Sequence, residues 1–298
     1  MKIALATCAA VPDGWEDETL LVEALRSRGA EPSLVLWDEQ EADWQAFDRV
    51  LIRSTWDYTH RRDDFIRWAR SLGDHLDNPA PLVEWNSDKR YLADLEAAGV
   101  PTIATRFVEP GDPPPDLEGE VVVKPTVSAG ARDTGRFAAA HHDGARALLS
   151  RLSAAGRTAM VQPYLGSVEG RGETAIVAIG GSESHVLRKR AVLGADREAP
   201  LRDDELGAAE AMYEPDLVGA GSATEGERAI AGLVLAWLKT RFGEAPLYAR
   251  VDMLCGDDGE PVLLELELVE PALYFGTAPG SEARLAEALL LRRSRDQG

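Results

Sequence analysis

Cysteine is nearly absent from this chain of 298 residues: Cys8 and Cys255 are the only two. Two thiols, each inside an apolar run, cannot build a disulfide framework or a structural zinc site, and they fit a reducing cytoplasm. Long apolar runs are missing as well, since no stretch approaches the roughly 18 consecutive apolar residues of a membrane span. The opening Met1-Lys-Ile-Ala-Leu-Ala-Thr-Cys8 imitates a secretory or lipoprotein leader. It carries a single lysine and meets Pro12 and Asp13 too soon, so it reads as a first β-strand. Positive charge is scarce, with 32 Lys and Arg against 51 Asp and Glu and a formal net charge of −19. Nucleic-acid backbones and anionic membrane surfaces would be repelled by such a chain. An anionic small molecule needs a local cationic pocket. The five histidines show no metal-binding spacing, and His141-His142 reads as a solvated pair in a polar turn. Internal repeats and low-complexity tracts are also missing.

Hydrophobic residues make up 45% of the chain, enough to fill the cores of the two or more lobes expected at this length. Up to about Glu84 the pattern is βαβ. Strands are expected at Lys2–Thr7, Ser33–Leu36 and Val50–Arg53, and helices at Glu18–Arg28, ended by Gly29, and Arg62–Ser71. That order implies a parallel sheet, whose ligands bind beyond the carboxyl ends of its strands. Two loops qualify, Pro12–Asp17 and Arg53–Tyr58. The second concentrates Arg53, Ser54, Thr55, Trp56, Asp57 and Tyr58, and reads either as a substrate loop or as a helix N-cap with buried aromatics. A dinucleotide fold is a poor alternative, because Thr7 to Gly14 lacks the glycine spacing that admits a pyrophosphate.

Ser87–Ala98 is expected as a helix closed by Gly99, Thr102–Val108 as a strand, and Pro110–Gly119 as a surface loop. Short strands follow at Val121–Lys124, Arg136–Ala140, Ala159–Gln162, Glu173–Ile179 and Ser184–Val192, with a helix at Asp143–Ala154. Gly180-Gly181 is a hairpin signal. Gly194–Gly226 is acidic and aperiodic, which suggests a mobile cover or partial disorder. Glu227–Phe242 and Glu282–Leu291 read as helices, and Arg292–Gly298 as a frayed tail.

Chemistry concentrates in the hairpin Tyr248–Cys255, Gly256–Gly259, Glu260–Leu268. Side chains alternate along a strand, so Arg250 and Asp252 share a face, as do Glu265 and Glu267, and the tight turn brings both sets to one side. Three carboxylates beside one arginine suit a hard divalent cation. A solvated charged face is the competing reading, opposed by Val251, Met253, Leu264, Leu266 and Leu268 on the other side. Val121–Lys124 leads into a loop of small residues that either lets backbone amides approach phosphate oxygens or simply joins two strands. Lys89 is a further candidate cation. Of Arg188, Lys189 and Arg190, one must face away from the others.

In this order the pieces resemble the ATP-grasp superfamily of carboxylate ligases over nearly the whole chain. The resemblance implies an α/β plus α+β fold: an N-terminal parallel α/β domain over residues 1–85, a small lobe over 86–165 and a C-terminal lobe over 166–298, the two lobes clasping ATP. Asn86-Ser-Asp-Lys89 looks like the first nucleotide lysine and Val122-Val-Lys-Pro125, with Lys124, like the second. Ser128, Ala129 and Gly130 open a segment similar to the flexible loop over the phosphates. Met160–Leu165 resembles the adenine-reading hinge, through Gln162, Pro163, Tyr164 and Leu165, with Glu173 as the ribose acid. Asp252, Glu265 and Glu267 are implied as ligands of two Mg²⁺ ions, which Mn²⁺ could replace. The chain has Glu-x-Glu where glutathione synthetase and D-alanine:D-alanine ligase have Glu-x-Asn. Arg250, with Lys189 or Arg188, would face the transferring phosphoryl group.

Ile52–Tyr58, Asp88–Leu95 and Glu265-x-Glu-x-x-Glu-Pro271 are most similar to the cycloserine-forming ligases of antibiotic biosynthesis. The implied reaction activates a carboxylate as an acyl phosphate for attack by an amine-type nucleophile, releasing ADP and phosphate. An amino acid or derivative is the implied substrate, with Arg53 on its carboxylate, Asp57 or Glu270 on its ammonium, and Tyr274 nearby. Relatives are commonly homodimers. A regulatory, non-catalytic ATP-binding protein of the same fold is the alternative.

Overall fold

Strand β1 (Lys2–Thr7) is buried from Ile3 onward, as a central parallel strand covered on both faces must be. The computed structural model describes residues 1–199, 208–214 and 216–292. The expected tail beyond Arg292, and part of the acidic stretch expected to be a mobile cover, lie outside the described residues. In chain order β1 is followed by α1 (Glu16–Arg26), β2 (Glu31–Leu36), β3 (Arg49–Ile52), α2 (Arg62–Ser71) and β4 (Leu76–Asp77). These form a parallel sheet in the order β2-β1-β3-β4. Helix α1 begins two residues earlier than its periodicity suggests because the Glu18 carboxylate accepts the Trp15 amide at 2.7 Å, capping the first turn.

Next come α3 (Ala80–Asn86) and α4 (Tyr91–Ala97), where the sequence pattern suggests one helix from Ser87. The break has a purpose in the fold: the Lys89 amide donates to Thr126 O at 2.8 Å, which turns the lysine toward the cleft. Strands β5 (Arg106–Val108), β6 (Val121–Pro125) and β7 (Gly135–Phe137), helix α5 (His142–Ala154) and strand β8 (Ala159–Pro163) follow. The expected strand Thr102–Val108 is shortened because Ile103 N bonds to Leu263 O and Leu263 N to Pro101 O, pulling Pro101–Ile103 onto another sheet. The expected Arg136–Ala140 strand stops at Phe137, and a single 3₁₀ turn covers Ala139–His141.

The chain continues through α6 (Ser167–Arg171), β9 (Glu173–Ile179), β10 (Ser182–Lys189), β11 (Arg197–Glu198) and β12 (Val218–Ala220). It ends in α7 (Glu225–Phe242), β13 (Tyr248–Cys255), β14 (Pro261–Glu267) and α8 (Ser281–Leu291). One five-stranded sheet has the order β11-β7-β6-β8-β5 and the other β12-β10-β9-β13-β14, and every pairing in both is antiparallel. Helix α5 covers the first through Leu148, Leu149 and Leu152. The second is covered on one face by Ile230, Val234 and Leu238 of α7 and on the other by Leu285 and Leu289 of α8.

Asn78 locks the parallel sheet to the β13–β14 pair. Its Nδ2 donates to Tyr248 O and Leu268 O, both at 2.9 Å, and its Oδ1 accepts Leu247 N at 2.7 Å. The residue is fully buried and left-handed at φ 61°, a conformation asparagine tolerates better than most residues. Asn78→Ala orphans three buried backbone groups and keeps a strained φ, so a loss of roughly 3 kcal/mol in urea denaturation is expected. An unchanged midpoint would show that the two sheets are not joined here.

Candidate active site

The two antiparallel sheets enclose a cavity of about 380 Å³, and β13 and β14 supply its charged wall. Arg250 lies opposite Glu267 and Asp252 opposite Glu265. The register then slips between Asp252 and Met253, so that Met253 faces Leu263. This bulge corrects the expected alternation: Leu263, not Leu264, is buried in the core with Val251, Met253, Leu266 and Leu268, and Leu264 lines the cleft.

Every carboxylate of this wall meets a cation. Arg250 grips Asp252 with Nε at 2.9 Å from Oδ1 and Nη2 at 2.9 Å from Oδ2, and Nη2 also bonds Glu267. Lys189 pairs with Glu173 and, at 3.1 Å, with Asp252. Lys89 lies 2.9 Å from Glu265 and Lys124 3.7 Å from it. Gly172 sits beside this group at φ 70°, and a Cβ there would come 2.5 Å from Lys189 O, so only glycine admits the turn into Glu173. Among the described residues no three His, Cys, Asp or Glu side chains stand together as a ready-made metal cage. Asp252, Glu265 and Glu267 are each paired with a cation instead. The donor set is nonetheless all oxygen, and Mg²⁺ asks for only one or two carboxylates when phosphates and water complete its octahedron, so these residues fit it.

Ionisation follows from burial and partners. Burial raises Asp252, but Arg250 and Lys189 outweigh it and hold the carboxyl well below its ordinary range. Burial pushes Lys124 down, with Lys89 adding like-charge repulsion against the pull of Glu265. Burial raises Glu173 to about 7 despite Lys189. Glu270 is lifted to about 8, first by burial and then by Glu267.

The cleft continues from this wall along the other sheet. Gln162, Pro163, Tyr164 and Leu165 run along the cleft at the end of β8, with Ser128, Ala129, Gly130 and Glu173 around it. Gln162 Nε2 donates to Thr105 Oγ1 at 2.8 Å, and Arg136 stacks 3.6 Å above the Tyr164 ring. Ile103, Leu165 and Leu254 form a buried apolar cluster with Val168, Val262 and Leu264 packed against it. Sequence reading missed all of this slot but Leu165, because it assembles from separate segments and the bulge. Lys89 Nζ also donates to Ser128 O at 2.8 Å, tying the loop of small residues to the wall.

Five of the residues expected to act in the cleft lie elsewhere. Arg188 points off the other face of β10, to Thr174 Oγ1, Arg171 O and Ser222 O, because strand alternation gives the cleft to Lys189. Arg53 is buried with Glu18 at 3.1 Å, Asp17 at 3.8 Å and Pro271 O at 3.0 Å. Ser54 donates to Glu18 at 2.9 Å, and Thr55 is buried beside it. Asp57 accepts Trp37 Nε1 at 2.8 Å and pairs with Arg61. Trp56, Tyr58, Glu270 and Tyr274 do line the cleft, joined by Trp15 and Tyr213, whose rings lie 6.2 Å apart.

Two antiparallel sheets closing on a cationic cleft, with a parallel sheet in front, are the architecture of the ATP-grasp ligases. A family model described as D-cycloserine synthetase DcsG, N-terminal domain, matches residues 3–78. The cycloserine biosynthesis protein DcsG of Streptomyces lavendulae is 34% identical over 289 residues, covering 91% of this chain and 92% of that protein. The chain therefore belongs to the DcsG-like family of ATP-grasp ligases. The crystal structure of D-cycloserine synthetase DcsG superposes with a TM-score of 0.86 at 33% identity, over 97% of this chain and 98% of that one. D-alanine–D-alanine ligase from Bacillus anthracis, solved with ATP, shares the fold at a TM-score of 0.62 and 14% identity, over 97% and 96%. The ATP-grasp ligase PsnB, solved with Mg and ADP, shares it at 0.58 and 17%, over 97% of each chain. Among the described residues no helix is long and apolar enough to cross a membrane.

Glu270 gives a pH signature. Its carboxyl titrates near 8 in the fold against 4.5 ordinarily, so the folded state binds the extra proton between those values and loses stability as pH rises through them. Glu270→Gln should match the wild type near pH 4.5, exceed it increasingly toward pH 8 and hold a constant margin above. Thermal midpoints across that range test this, and parallel curves would refute it.

Proposed function

We propose that the chain joins an amino-acid-derived carboxylate to an amine-type nucleophile through an acyl phosphate, releasing ADP and phosphate. The observation that carries this is the set of four buried cations brought together around the cleft from both sheets and the α3–α4 turn, Lys89, Lys124, Lys189 and Arg250, each beside a carboxylate. Phosphoryl transfer to a carboxylate brings anions together, so its catalysis is positioning and charge neutralisation. Lys89 and Lys124 would hold α- and β-phosphate oxygens, Lys189 would lie nearer the γ-phosphate, and Arg250 would face the transferring group. The adenine would lie in the slot of Ile103, Leu165 and Leu254 against Gln162–Leu165, with Glu173 on the ribose. Asp252, Glu265 and Glu267 would hold two Mg²⁺ ions, which supply further neutralisation of phosphate charge.

The substrate end falls to Trp56, Tyr58, Glu270 and Tyr274. Glu270, once ionised, suits an ammonium, which supports an amino acid or derivative. The similarity to DcsG, a cycloserine biosynthesis protein, supports antibiotic biosynthesis and a cyclic product among the options. Residues 1–85, 86–165 and 166–298 serve as substrate domain, small lobe and metal-bearing lobe. One strand crosses that division, since β11 pairs with β7.

Screening amino acids and their derivatives for release of ADP and phosphate from MgATP tests the reading. Glu265→Gln should lower kcat on the order of 10²-fold or more, by analogy with the loss of one group that stabilises transition-state charge. Formation of AMP would overturn the acyl phosphate, and nucleotide binding with no turnover on any amino acid would favour a regulatory protein.

A further inference from the structure

The loop Ser128–Thr134 is not held by its own bonds alone, which are the 3.3 Å contacts of Arg132 N with Ala129 O and of Thr134 Oγ1 with Arg132 O. Ala131 and Asp133 both take left-handed backbone angles, φ 55° and 53°, which cost on the order of 1 kcal/mol or more for such residues and persist only where surroundings impose them. One support is Arg157, paired with Asp133 at 2.5 Å. Another comes from the N-terminal domain. Arg132, buried at 8% exposure, reaches its guanidinium across to the 3₁₀ turn Trp56–His60, where Nη1 meets His60 Nε2 and lies 3.3 Å from Thr59 Oγ1. An arginine N–H can only donate. His60 Nε2 must therefore offer its lone pair, which makes the ring neutral with its proton on Nδ1.

We propose that His60 is a positioning residue whose neutral imidazole anchors Arg132 and so holds the loop Ser128–Thr134 closed over the nucleotide phosphates. The proposal rests on the reading of this loop as the phosphate cover. It makes that cover conditional on the turn that also carries Trp56 and Tyr58 into the substrate end of the cleft. Nucleotide closure and substrate-domain geometry are then one event.

Protonation breaks the anchor, because imidazolium has no lone pair and repels Arg132. The charged groups facing His60 are Arg132 and Arg157, which with burial hold its pKa below the ordinary 6.5, and Asp57 and Asp133, which oppose them. The anchor is thus complete above the ordinary value and is lost as pH falls through the depressed one.

Hydrogen exchange of the loop, corrected for intrinsic rate, tests this in the full chain with and without Mg²⁺ and AMP-PNP. Wild-type loop protection should fall by up to about tenfold between about pH 7.5 and 5.5, the largest factor an imidazole of ordinary pKa can exert over that interval. His60→Gln, whose amide oxygen accepts from Arg132 and cannot be protonated in this range, should keep its protection at both pH values. His60→Phe should lose it at both and bind AMP-PNP several-fold more weakly, while exchange in β9 and β13 stays unchanged. A pH-dependent loss in His60→Gln equal to that of the wild type would overturn the proposal, as would full protection in His60→Phe with normal AMP-PNP binding. Failure of the wild type to bind AMP-PNP would overturn the nucleotide reading and the proposal with it.

Discussion

Lys89, Lys124, Lys189 and Arg250 are all withdrawn from water around one cleft, and the placement of everything around it answers to that. A buried charge without a partner costs several kcal/mol, so each cation requires a carboxylate within ion-pair range. Glu173, Asp252, Glu265 and Glu267 meet that need from within the protein. The cations are consequently fixed in direction before any phosphate arrives, which is the electrostatic preorganisation that charge-transfer chemistry uses. Because the opposite face of β13 and β14 is filled by Val251, Met253, Leu263 and Leu266, the charged face cannot rotate away.

The N-terminal domain is fitted to this wall by ions of its own. Asp17 accepts the amides of Leu273, Tyr274 and Phe275 at 2.6 to 2.9 Å, and Arg53 bridges Glu18 to Pro271 O. The segment after β14 is thereby held against the first turn of α1, with Tyr274 forced to φ 53°. That arrangement directs Glu270 and Tyr274 into the cleft. Arg53 and Ser54 are occupied in building the site, which leaves their aromatic neighbours Trp56 and Tyr58 to line the cleft.

This division of labour also separates what the sequence made legible from what it hid. Periodicity located the hairpin, its Gly256–Gly259 turn and the common face of Arg250, Asp252, Glu265 and Glu267, because strand alternation is a local property. Alternation also sets Lys189 on the face opposite Arg188 and Arg190, without saying which face meets the cleft. The bulge after Asp252 was invisible, since an inserted residue leaves no mark on composition, and Leu264 was assigned to the wrong face. Arg53 misled for a different reason: its partners Asp17 and Glu18 lie 35 or more residues away, and only the fold shows a buried ion pair where the sequence shows a free cation. The contact between Arg132 and His60, 72 residues apart, is likewise tertiary.

Arg250 sets a condition on how ligands enter. Its Nε and Nη2 are engaged by Asp252 and Glu267, and its Nη1 donates to Ala272 O at 2.9 Å. An incoming anion must therefore compete with two carboxylates for this guanidinium. Conversely, a divalent cation at Asp252 and Glu267 must compete with the arginine. If a cation neutralises the carboxylates, Arg250 is released toward the anion, and an anion at Arg250 releases the carboxylates toward the cation. Each ligand lowers the cost of the other by the same coupling free energy. The second glutamate of Glu-x-Glu strengthens this coupling relative to an amide at position 267, because a neutral amide would neither hold Arg250 as tightly nor gain as much from a cation.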